Sequence, residues 1–461
     1  MISTDMGAPQ RRYRPPVDQP GTGRPTRSRL ARTARLAALP AAYAGRTAVG
    51  LGKRIGGRPA EAVAAQVQQR TAEQLFVTLG QLKGGAMKVG QAMSAMEAAL
   101  PDQLVGPYRE ALVRLQEAAP AMPTAMVHEQ LARSLGGGWR GLLGDFDDRP
   151  VAAASVGQVH RATWSDGSPV AVKVQYPGAG EALVADLGML QKAAPLMQTA
   201  MPGLDARQLL QELRDRLVEE VDYAREADAQ TAFAEAYRDD PDICVPDVLA
   251  AEDRVLVTRW IDGTPLSRVI ADGSQDDRDR AGLLLVRLLA SSPVRARRLH
   301  GDPHPGNFRL LPDGRLGVLD FGATEALPSG WPARLGPLLA AGRDGDAAAL
   351  HRVAASAGLL RPDQVPPQAL LALLDPYLQP LRTDAYRFTR AWMQEQTRVV
   401  SDPFNAASKT QRRLTIPPRH LLLQRVAAGL AGVLCSLGAT VAVDGEVRRW
   451  LPGYDSGPPT P

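Results

Sequence analysis

Apolar residues along this chain are spaced first as in helices, then as in strands, and then again as in helices. From Leu79 to Leu100 they recur every three or four positions, which predicts an amphipathic helix that ends before Pro101. The segments predicted after it are helices at 103–117 and 124–135, strands from 150 to 177, a helical region at 180–240, strands at 243–261 and then mostly helix to the end. The strands are therefore concentrated in the middle of the chain, between two helical regions.

The sequence VAVKV alternates between the two faces of a predicted strand. Its three valines at 170, 172 and 174 are expected to face the core, with Ala171 and Lys173 on the opposite face. The strand follows WSDGSP, whose Asp-Gly pair favours a tight hairpin turn. Only six of the 54 basic residues are lysine. The lysine at position 173 therefore indicates a role that arginine would not fulfil. A solvent-facing strand lysine is the alternative.

Two short motifs carry the strongest indication of chemistry. HGDPHPGNF places Asp302 and Asn307 five residues apart, and GVLDFG then adds Asp320 in an Asp-Phe-Gly triplet. Kinase-type phosphoryl transfer uses one Asp to orient or deprotonate the acceptor, and an Asn with a second Asp to hold Mg²⁺ at the ATP phosphates. The intervening LLPDGRLGVLD predicts two strands joined at Asp313 and Gly314, which would bring both metal ligands to one edge. The chain is therefore predicted to bind ATP and Mg²⁺, unless the two motifs lie by chance on unrelated loops.

A helix predicted from Ala206 to Tyr237 supplies an acidic partner for Lys173. Its buried stripe is expected at Leu210, Leu213, Leu217, Val221 and Ala224. Within EEVDYAREAD, Asp222 and Glu226 lie four residues apart on one face, whereas Glu220 points about 120° away from Glu226. We therefore assign Glu226 to the ion pair with Lys173. An ordinary solvated face of charged residues is the alternative.

The nucleotide is expected between an alanine-rich loop and a hinge. Kinases place glycines where the backbone covers the phosphates, but AAASVGQV has one glycine, so methyl groups stand where close approach matters. The residues predicted to line the cofactor are Ala152, Ala153, Ala154, Ser155 and Gly157 in the loop, Ala171 and Lys173 in the strand, and Thr258, Arg259, Trp260 and Ile261 in the hinge. Backbone groups of the hinge would meet the adenine edge.

Positive charge is concentrated in the N-terminal part of the sequence. The 461 residues are 44% hydrophobic and 22% charged, as in an ordinary soluble globular protein of two or three domains. Residues 1–54 hold eleven Arg or Lys against two Asp, a net charge of +9 within a total of +5. No aromatic and basic platform accompanies this segment, so nucleic acid is not expected as a partner. The segment is expected either to be solvated or to contact an anionic membrane surface.

Cysteine content and apolar segments favour a cytoplasmic protein, with attachment at the inner face of a membrane as the alternative. Only Cys244 and Cys435 occur, which suits a reducing compartment. The apolar stretch at 36–44 is short and broken by Pro40, so no signal peptide is predicted. Residues 426–443 carry no charge and have nearly the length of a membrane span, but their many Ala and Gly favour a buried helix.

Together these residues resemble the UbiB/AarF family of atypical, protein kinase-like proteins, which is associated with ubiquinone and related lipid metabolism. The most specific element is the family's KxGQ motif, here Lys88 to Gln91, and the alanine-rich loop, the ExD motif at Glu220 and Asp222, and HGDPHPGN also match. The resemblance implies an α+β, two-lobed protein kinase-like fold with an N-terminal helical extension. The implied domains are a basic, largely disordered tail at 1–60 with an amphipathic helix, a helical extension carrying KxGQ at 61–148, an N-lobe at 149–262 and a mostly helical C-lobe at 263–461.

The resemblance also implies roles for individual residues. Lys173, Glu226 and Asp302 would be catalytic, and Asn307 and Asp320 would bind the metal. The KxGQ helix would lie over the acceptor side of the ATP site, near Glu220 and Asp222. We further predict that Lys88 is a lid residue, because pairing with Glu220 or Asp222 would restrict access to that side. The predicted regulatory group is Lys88, Gln91, Glu220 and Asp222.

Two departures from the family pattern are visible. The family usually has Glu in the hinge where this chain has Arg259. No APE-like segment follows Asp320, where the sequence is DFGATEALPSGWP, so a platform for a protein substrate is not expected.

The implied function is that of an ATP-binding, Mg²⁺-dependent kinase or ATPase that supports isoprenoid quinone or lipid metabolism. Its acceptor would be a lipid, a small molecule or water. One alternative is a small-molecule phosphotransferase of the aminoglycoside or choline kinase type, which shares an HGD…GN loop. Another is a catalytically silent ATP-binding scaffold.

Overall fold

A computed structural model describes residues 121–154, 156–178, 221–402, 404–415 and 417–455. Several predictions fall outside these ranges, among them the basic tail and the helices at 79–100 and 103–117. The site residues outside the described part of the chain are Lys88, Gln91, Ser155 and Glu220. For Ala153 and Ala154 the structure describes the backbone alone.

The first described segments build a six-stranded antiparallel sheet with helices against it. In chain order the elements are α1 (Thr124–Leu135), α2 (Trp139–Leu142), β1 (Leu143–Gly144), β2 (Ala152–Ala154), β3 (Gly157–Trp164), β4 (Pro169–Gln175), α3 (Tyr223–Ala236), β5 (Ile243–Cys244), β6 (Val248–Glu252) and β7 (Val255–Arg259). The sheet order is β1-β3-β4-β7-β6, with β2 paired to β3. Helix α1 has the bounds that the sequence predicted, and its Val127 and Leu131 share a core with the valines of β4.

Strand β4 shows the predicted alternation. Val170, Val172 and Val174 are fully buried, whereas Ala171 and Lys173 are only partly buried on the other face. The turn before it is the predicted Asp-Gly turn: Gly167 has a φ of 84°, a region that a residue without Cβ adopts readily, and its N–H donates to Trp164 O at 2.8 Å. The sequence therefore correctly located both the hairpin and the face that carries the lysine.

Helix α3 begins later than the sequence predicted. Residue 222 is not helical; Asp222 is the N-cap, and its carboxylate accepts a hydrogen bond from Arg225 N–H at 3.0 Å. The prediction that Asp222 and Glu226 lie together inside one long helix is wrong, because an Asp side chain satisfies the free N–H groups at a helix start better than it fits a helix interior. Ala224, predicted to be buried, is exposed. The buried face of α3 consists of Tyr223, Glu226, Ala227, Ala229, Gln230, Phe233 and Ala234.

The remaining described chain is mostly helical. Its elements are β8 (Thr264–Pro265), α4 (Leu266–Asp272), α5 (Gln275–Arg295), β9 (Arg298–His300), β10 (Phe308–Leu310), β11 (Leu316–Val318), β12 (Thr324–Ala326), α6 (Leu335–Arg343), α7 (Ala347–Ser356), α8 (Pro367–Leu378), β13 (Tyr386–Arg387), α9 (Arg390–Ser401), α10 (Ala406–Gln411), α11 (Pro418–Leu437), β14 (Thr440–Val441) and α12 (Val443–Trp450). A small sheet has the order β5-β11-β10-β8, and β9 pairs with β12. Helix α5 starts with a capping box between Ser274 and Asp277, and its buried side packs into the largest core formed by the described residues.

The uncharged segment at 426–443 is helical for most of its length, as predicted, and one side of that helix is buried. Helix α11 ends at Leu437, where Gly438 takes the left-handed conformation with a φ of 62°. Val433, Leu434 and Leu437 are buried in the same core as α5. Among the described residues, no helix has the length and apolar character needed to cross a membrane.

Candidate active site

Lys173 lies at the centre of the candidate site, in an ion pair with Glu226. β4 presents the lysine on its partly buried face, and α3 brings the glutamate to it. Lys173 Nζ donates to Glu226 Oε1 at 2.8 Å and to Oε2 at 2.9 Å. The two side chains are 17% and 2% exposed, so water screens this pair far less than a surface ion pair. The contact predicted from the sequence is present.

Asp320 is the second carboxylate beside the lysine. Its Oδ2 lies 3.5 Å from Lys173 Nζ, and its side chain is 38% exposed. Burial disfavours the ammonium, but Asp320 and Glu226 more than compensate and raise the pKa of Lys173 above its usual range. Burial also raises the pKa of Glu226, against the opposing effects of Lys173 and a hydrogen bond from the Phe321 backbone. Lys173 is therefore a permanent cation held between two acidic side chains.

Asp302 and Asn307 face each other across a short loop. Residues Pro305–Asn307 form a 3₁₀ turn whose N-cap is His304. This turn places Asn307 Nδ2 3.1 Å from both the backbone oxygen and Oδ2 of Asp302. Because the amide nitrogen is used in this way, the amide oxygen of Asn307 is the atom suited to coordinate a metal. The loop thus fixes the predicted catalytic Asp and the predicted amide ligand relative to each other.

The β10–β11 hairpin joins this loop to Asp320. Phe308 pairs with Val318, and Leu319 N–H donates to Asn307 O at 2.9 Å. Its turn contains Gly314 with a φ of 82°, at the predicted position. Asn307 immediately precedes β10 and Asp320 closely follows β11, so both predicted metal ligands lie at one edge, as expected.

Two residues that we did not assign a role connect these parts. His300 Nε2 contacts Asp320 O at 2.8 Å, and its ring packs against Phe321 with centroids 5.6 Å apart. The ring centroid of Phe321 in turn lies 5.0 Å from that of Phe233 in α3. The signal for both was present, because His300 opens the HGD motif and Phe321 is the centre of DFG. Tyr223 was missed as well; Lys173 Nζ lies 5.1 Å from its ring centroid.

Stability should decrease below neutral pH because two histidines are buried. Burial lowers the pKa of His300 and of His160 below the ordinary value of 6.5, and a backbone hydrogen bond and nearby carboxylates oppose the shift at each histidine only in part. Below that value the unfolded chain binds protons that the folded protein does not, so the free energy of unfolding falls as pH falls, by up to about 1.4 kcal/mol per pH unit for each histidine.

Urea unfolding at about pH 7.5 and about pH 5.5 measures this effect. We expect lower stability at the acidic pH and a smaller difference in His160→Gln, which removes one of the two groups. Equal stability of the parent protein at both pH values would contradict the lowered pKa values of His160 and His300 in the folded protein.

The predicted alanine-rich loop is the hairpin of β2 and β3. Ala152 pairs with Val159 and Ala154 with Gly157. Gly157 is required by packing, because a Cβ at this position would lie 2.3 Å from Val174 O of β4. Its place in the sequence is therefore explained by the neighbouring strand, whereas a role in covering phosphates remains a prediction for the alanines.

The hinge after β7 has fewer available backbone donors than the sequence suggested. Arg259 N–H donates to Asp247 O and Trp260 N–H to Pro169 O, each at 3.0 Å. These two N–H groups are thus not the ones that would meet an adenine edge. The side chain of Arg259 also points elsewhere: its guanidinium binds Asp166 at 2.9 Å and lowers the pKa of that carboxyl group. The unusual Arg is accommodated by a partner in the β3–β4 turn.

The donor atoms present fit a magnesium ion bound together with a nucleotide. Within the described ranges, no group of three or more His, Cys, Asp or Glu side chains is arranged around a common metal position. Mg²⁺ is commonly held by one or two carboxylates plus substrate phosphates, not by a cage made of protein alone. Asp320 and the amide oxygen of Asn307 supply hard oxygen ligands of that kind. Of the predicted regulatory group, only Asp222 is described, and its carboxylate caps α3.

Comparison with known proteins assigns the family. Residues 114–354, more than half of the chain, match the ABC1 atypical kinase-like domain. The chain belongs to this family. Its predicted relationship to the UbiB group is confirmed, because the curated relatives include proteins named atypical kinase COQ8.

The relatives of this ABC1-family chain are moderately similar and longer. The zebrafish protein atypical kinase COQ8B, mitochondrial, is 30% identical over 66% of this chain and 52% of its own length. The yeast atypical kinase COQ8, mitochondrial, is 33% identical over 53% of this chain and 48% of its own length. The chain thus spans about half the length of the curated relatives it matches.

A solved structure supports the same family fold. The complex of Rv3197 with erythromycin, from Mycobacterium tuberculosis, is 42% identical in sequence and has a TM-score of 0.65. The match covers 86% of this chain and 99% of that one. The predicted α+β, protein kinase-like fold is confirmed.

Proposed function

We propose that this ABC1-family chain binds ATP with Mg²⁺ and catalyses phosphoryl transfer or ATP hydrolysis in support of isoprenoid quinone or lipid metabolism. The observation that carries the proposal is the position of Lys173 between Glu226, at 2.8 Å, and Asp320, at 3.5 Å. Phosphoryl transfer depends on positioning and on charge stabilisation, and a buried cation next to a half-exposed metal ligand provides both.

Each residue then has a defined task. Lys173 binds phosphate oxygens, and Glu226 keeps its ammonium group in place. Asp320 and Asn307 would hold a Mg²⁺ ion, whose chemistry is to neutralise charge on the phosphates. Asp302 orients the acceptor hydroxyl or water and takes up its proton.

A lipid or small-molecule acceptor is favoured over a protein. After Phe321 the chain passes through β12, which pairs with β9, and reaches α6 without an APE-like segment. Arg225 also donates to Thr324 O at 3.3 Å, which ties β12 to α3. An acceptor dissolved in a membrane would place the protein at an anionic bilayer surface, where the basic residues of segment 1–54 would add attraction.

The test is ATP turnover by the purified protein with and without anionic liposomes and phenolic quinone-precursor mimics. We expect Mg²⁺-dependent formation of ADP that rises with the correct acceptor and is lost in Lys173→Ala. Absence of turnover under every condition, with ATP still bound, would instead support a silent ATP-binding scaffold.

Macrolide binding is a second candidate function. It is supported by the 42% identical relative, whose solved structure is a complex with erythromycin. Titration of erythromycin into the purified protein, alone and with Mg-ATP, tests it. Saturable heat would support this candidate, and none at any accessible concentration would remove it.

The alanines of β2 should restrict how closely the backbone approaches the phosphates. Replacing Ala153 with Gly removes a methyl group and relaxes the backbone, so we expect the affinity for ATP or the rate of self-phosphorylation to change by about two- to fivefold, in line with the 0.5–1 kcal/mol that separates Gly from Ala. Ala355→Gly, in helix α7, is the control for a general effect of added flexibility. Wild-type values for Ala153→Gly in both assays would show that β2 does not cover the phosphates.

A further inference from the structure

Tyr223 is a buried side chain in the candidate site whose hydroxyl group has no hydrogen-bond partner among the described residues. The side chain is 1% exposed, and its ring lies 5.1 Å from Lys173 Nζ. The same lysine contacts Glu226 at 2.8 Å and Asp320 at 3.5 Å. A buried hydroxyl without a partner is unfavourable, and phenylalanine would fill the same space without that penalty.

Tyr237, which follows the same helix, provides a direct contrast. It is also almost fully buried, at 3% exposure, but its hydroxyl lies 2.7 Å from Ser291 Oγ. The fold therefore supplies a partner for one phenol of this helix and none, within the described ranges, for the other. The phenol without a partner is the one next to the predicted phosphate position.

We propose that the Tyr223 hydroxyl donates a hydrogen bond to a phosphate oxygen of the nucleotide bound beside Lys173 and Asp320, an inference that rests on the proposed function. The charges around the hydroxyl leave a phosphate in need of a further hydrogen-bond donor. Lys173 is shared between two carboxylates, and Glu226 already accepts both contacts from Nζ. Because Glu226 and Asp320 repel a phosphate, an additional hydrogen bond from the neutral Tyr223 hydroxyl would stabilise the bound phosphate. Burial also raises the pKa of Tyr223, so that its hydroxyl keeps its proton throughout the physiological range.

The experiment compares Tyr223→Phe with Tyr237→Phe in the full chain. Binding of Mg-ATP and of adenosine is measured by calorimetry, and the melting temperature is measured for each variant. For Tyr223→Phe we expect Mg-ATP affinity to fall by about five- to tenfold, adenosine affinity to stay unchanged, and the melting temperature to stay the same or rise. For Tyr237→Phe we expect unchanged Mg-ATP affinity and a melting temperature lower by about 2 °C, because a satisfied buried hydrogen bond is lost.

Three results would overturn the inference. Wild-type Mg-ATP affinity in Tyr223→Phe would show that the hydroxyl does not contact the nucleotide. An equal loss for ATP and adenosine would place the contact away from the phosphates. A lower melting temperature in Tyr223→Phe would indicate that the hydroxyl forms a hydrogen bond with another group of this chain. Lys173→Ala separates this inference from the proposed function: if that variant binds Mg-ATP normally, the nucleotide site itself is misassigned.

Discussion

Replacing Asp320 with Asn is expected to abolish magnesium-dependent ATP binding while the fold is retained. Asparagine has the same shape, and its oxygen can still accept the Gly322 N–H bond, which is 3.0 Å long. The variant loses the negative charge that a magnesium ligand needs and that Lys173 faces at 3.5 Å. Residues that only support a metal ligand contribute about 10- to 100-fold to affinity, so losing a direct ligand should lower Mg-ATP affinity by at least about 100-fold.

Calorimetric titration of ATP with Mg²⁺ and with EDTA measures this effect. The matched control is Asp313→Asn in the β10–β11 turn, where the carboxylate pairs with Arg315 at 2.8 Å, away from the lysine. The control should bind Mg-ATP like the parent protein. Unchanged Mg-ATP affinity in Asp320→Asn would count against the whole site assignment.

Replacing Asp302 with Asn should have the opposite pattern, with ATP still bound but turnover largely lost. The amide that replaces the carboxylate cannot take up the acceptor proton, and general-base catalysis typically contributes about 10²–10⁴-fold to a rate. Asn307 donates to Asp302 Oδ2 at 3.1 Å, and the amide oxygen of the variant can accept this bond in its place. The loop geometry should therefore remain.

Single-turnover measurements separate the two effects of this variant. We expect Mg-ATP affinity within about threefold of the parent, because Asp302 is proposed to contact neither the metal nor the phosphates. The rate constant should be lower by at least about 100-fold. Parental turnover in Asp302→Asn would mean that another group activates the acceptor. Loss of ATP binding instead would mean that Asp302 is a metal ligand and not the base.

The sequence predicted the parts of this site whose geometry is set locally. The alternation of VAVKV determined which face carries Lys173, and Asp313-Gly314 fixed the turn that aligns Asn307 with Asp320. Strand period and turn chemistry act over a few residues, so they are visible in the sequence.

Features that depend on tertiary neighbours could not be predicted in the same way. Gly157 is required because Val174 O lies against it on the next strand. Asp222 caps the start of helix α3, which periodicity alone would extend towards the N-terminus. That the Tyr223 hydroxyl has no partner among the described residues is visible only when α3 and β4 are packed together. Lys88 and Gln91, the basis of the lid hypothesis, lie outside the described residues and stay predictions.

The central claim is that one site formed by Lys173, Asp320 and Asn307 holds the phosphates of Mg-ATP. The most direct test is a crystal structure of the protein with Mg²⁺ and a non-hydrolysable ATP analogue. We expect the ion to be coordinated by Asp320 and the Asn307 amide oxygen, the phosphates to lie within hydrogen-bond distance of Lys173 Nζ, and the β2–β3 hairpin to lie above them. A nucleotide bound elsewhere, or phosphates that contact neither Lys173 nor Asp320, would contradict it.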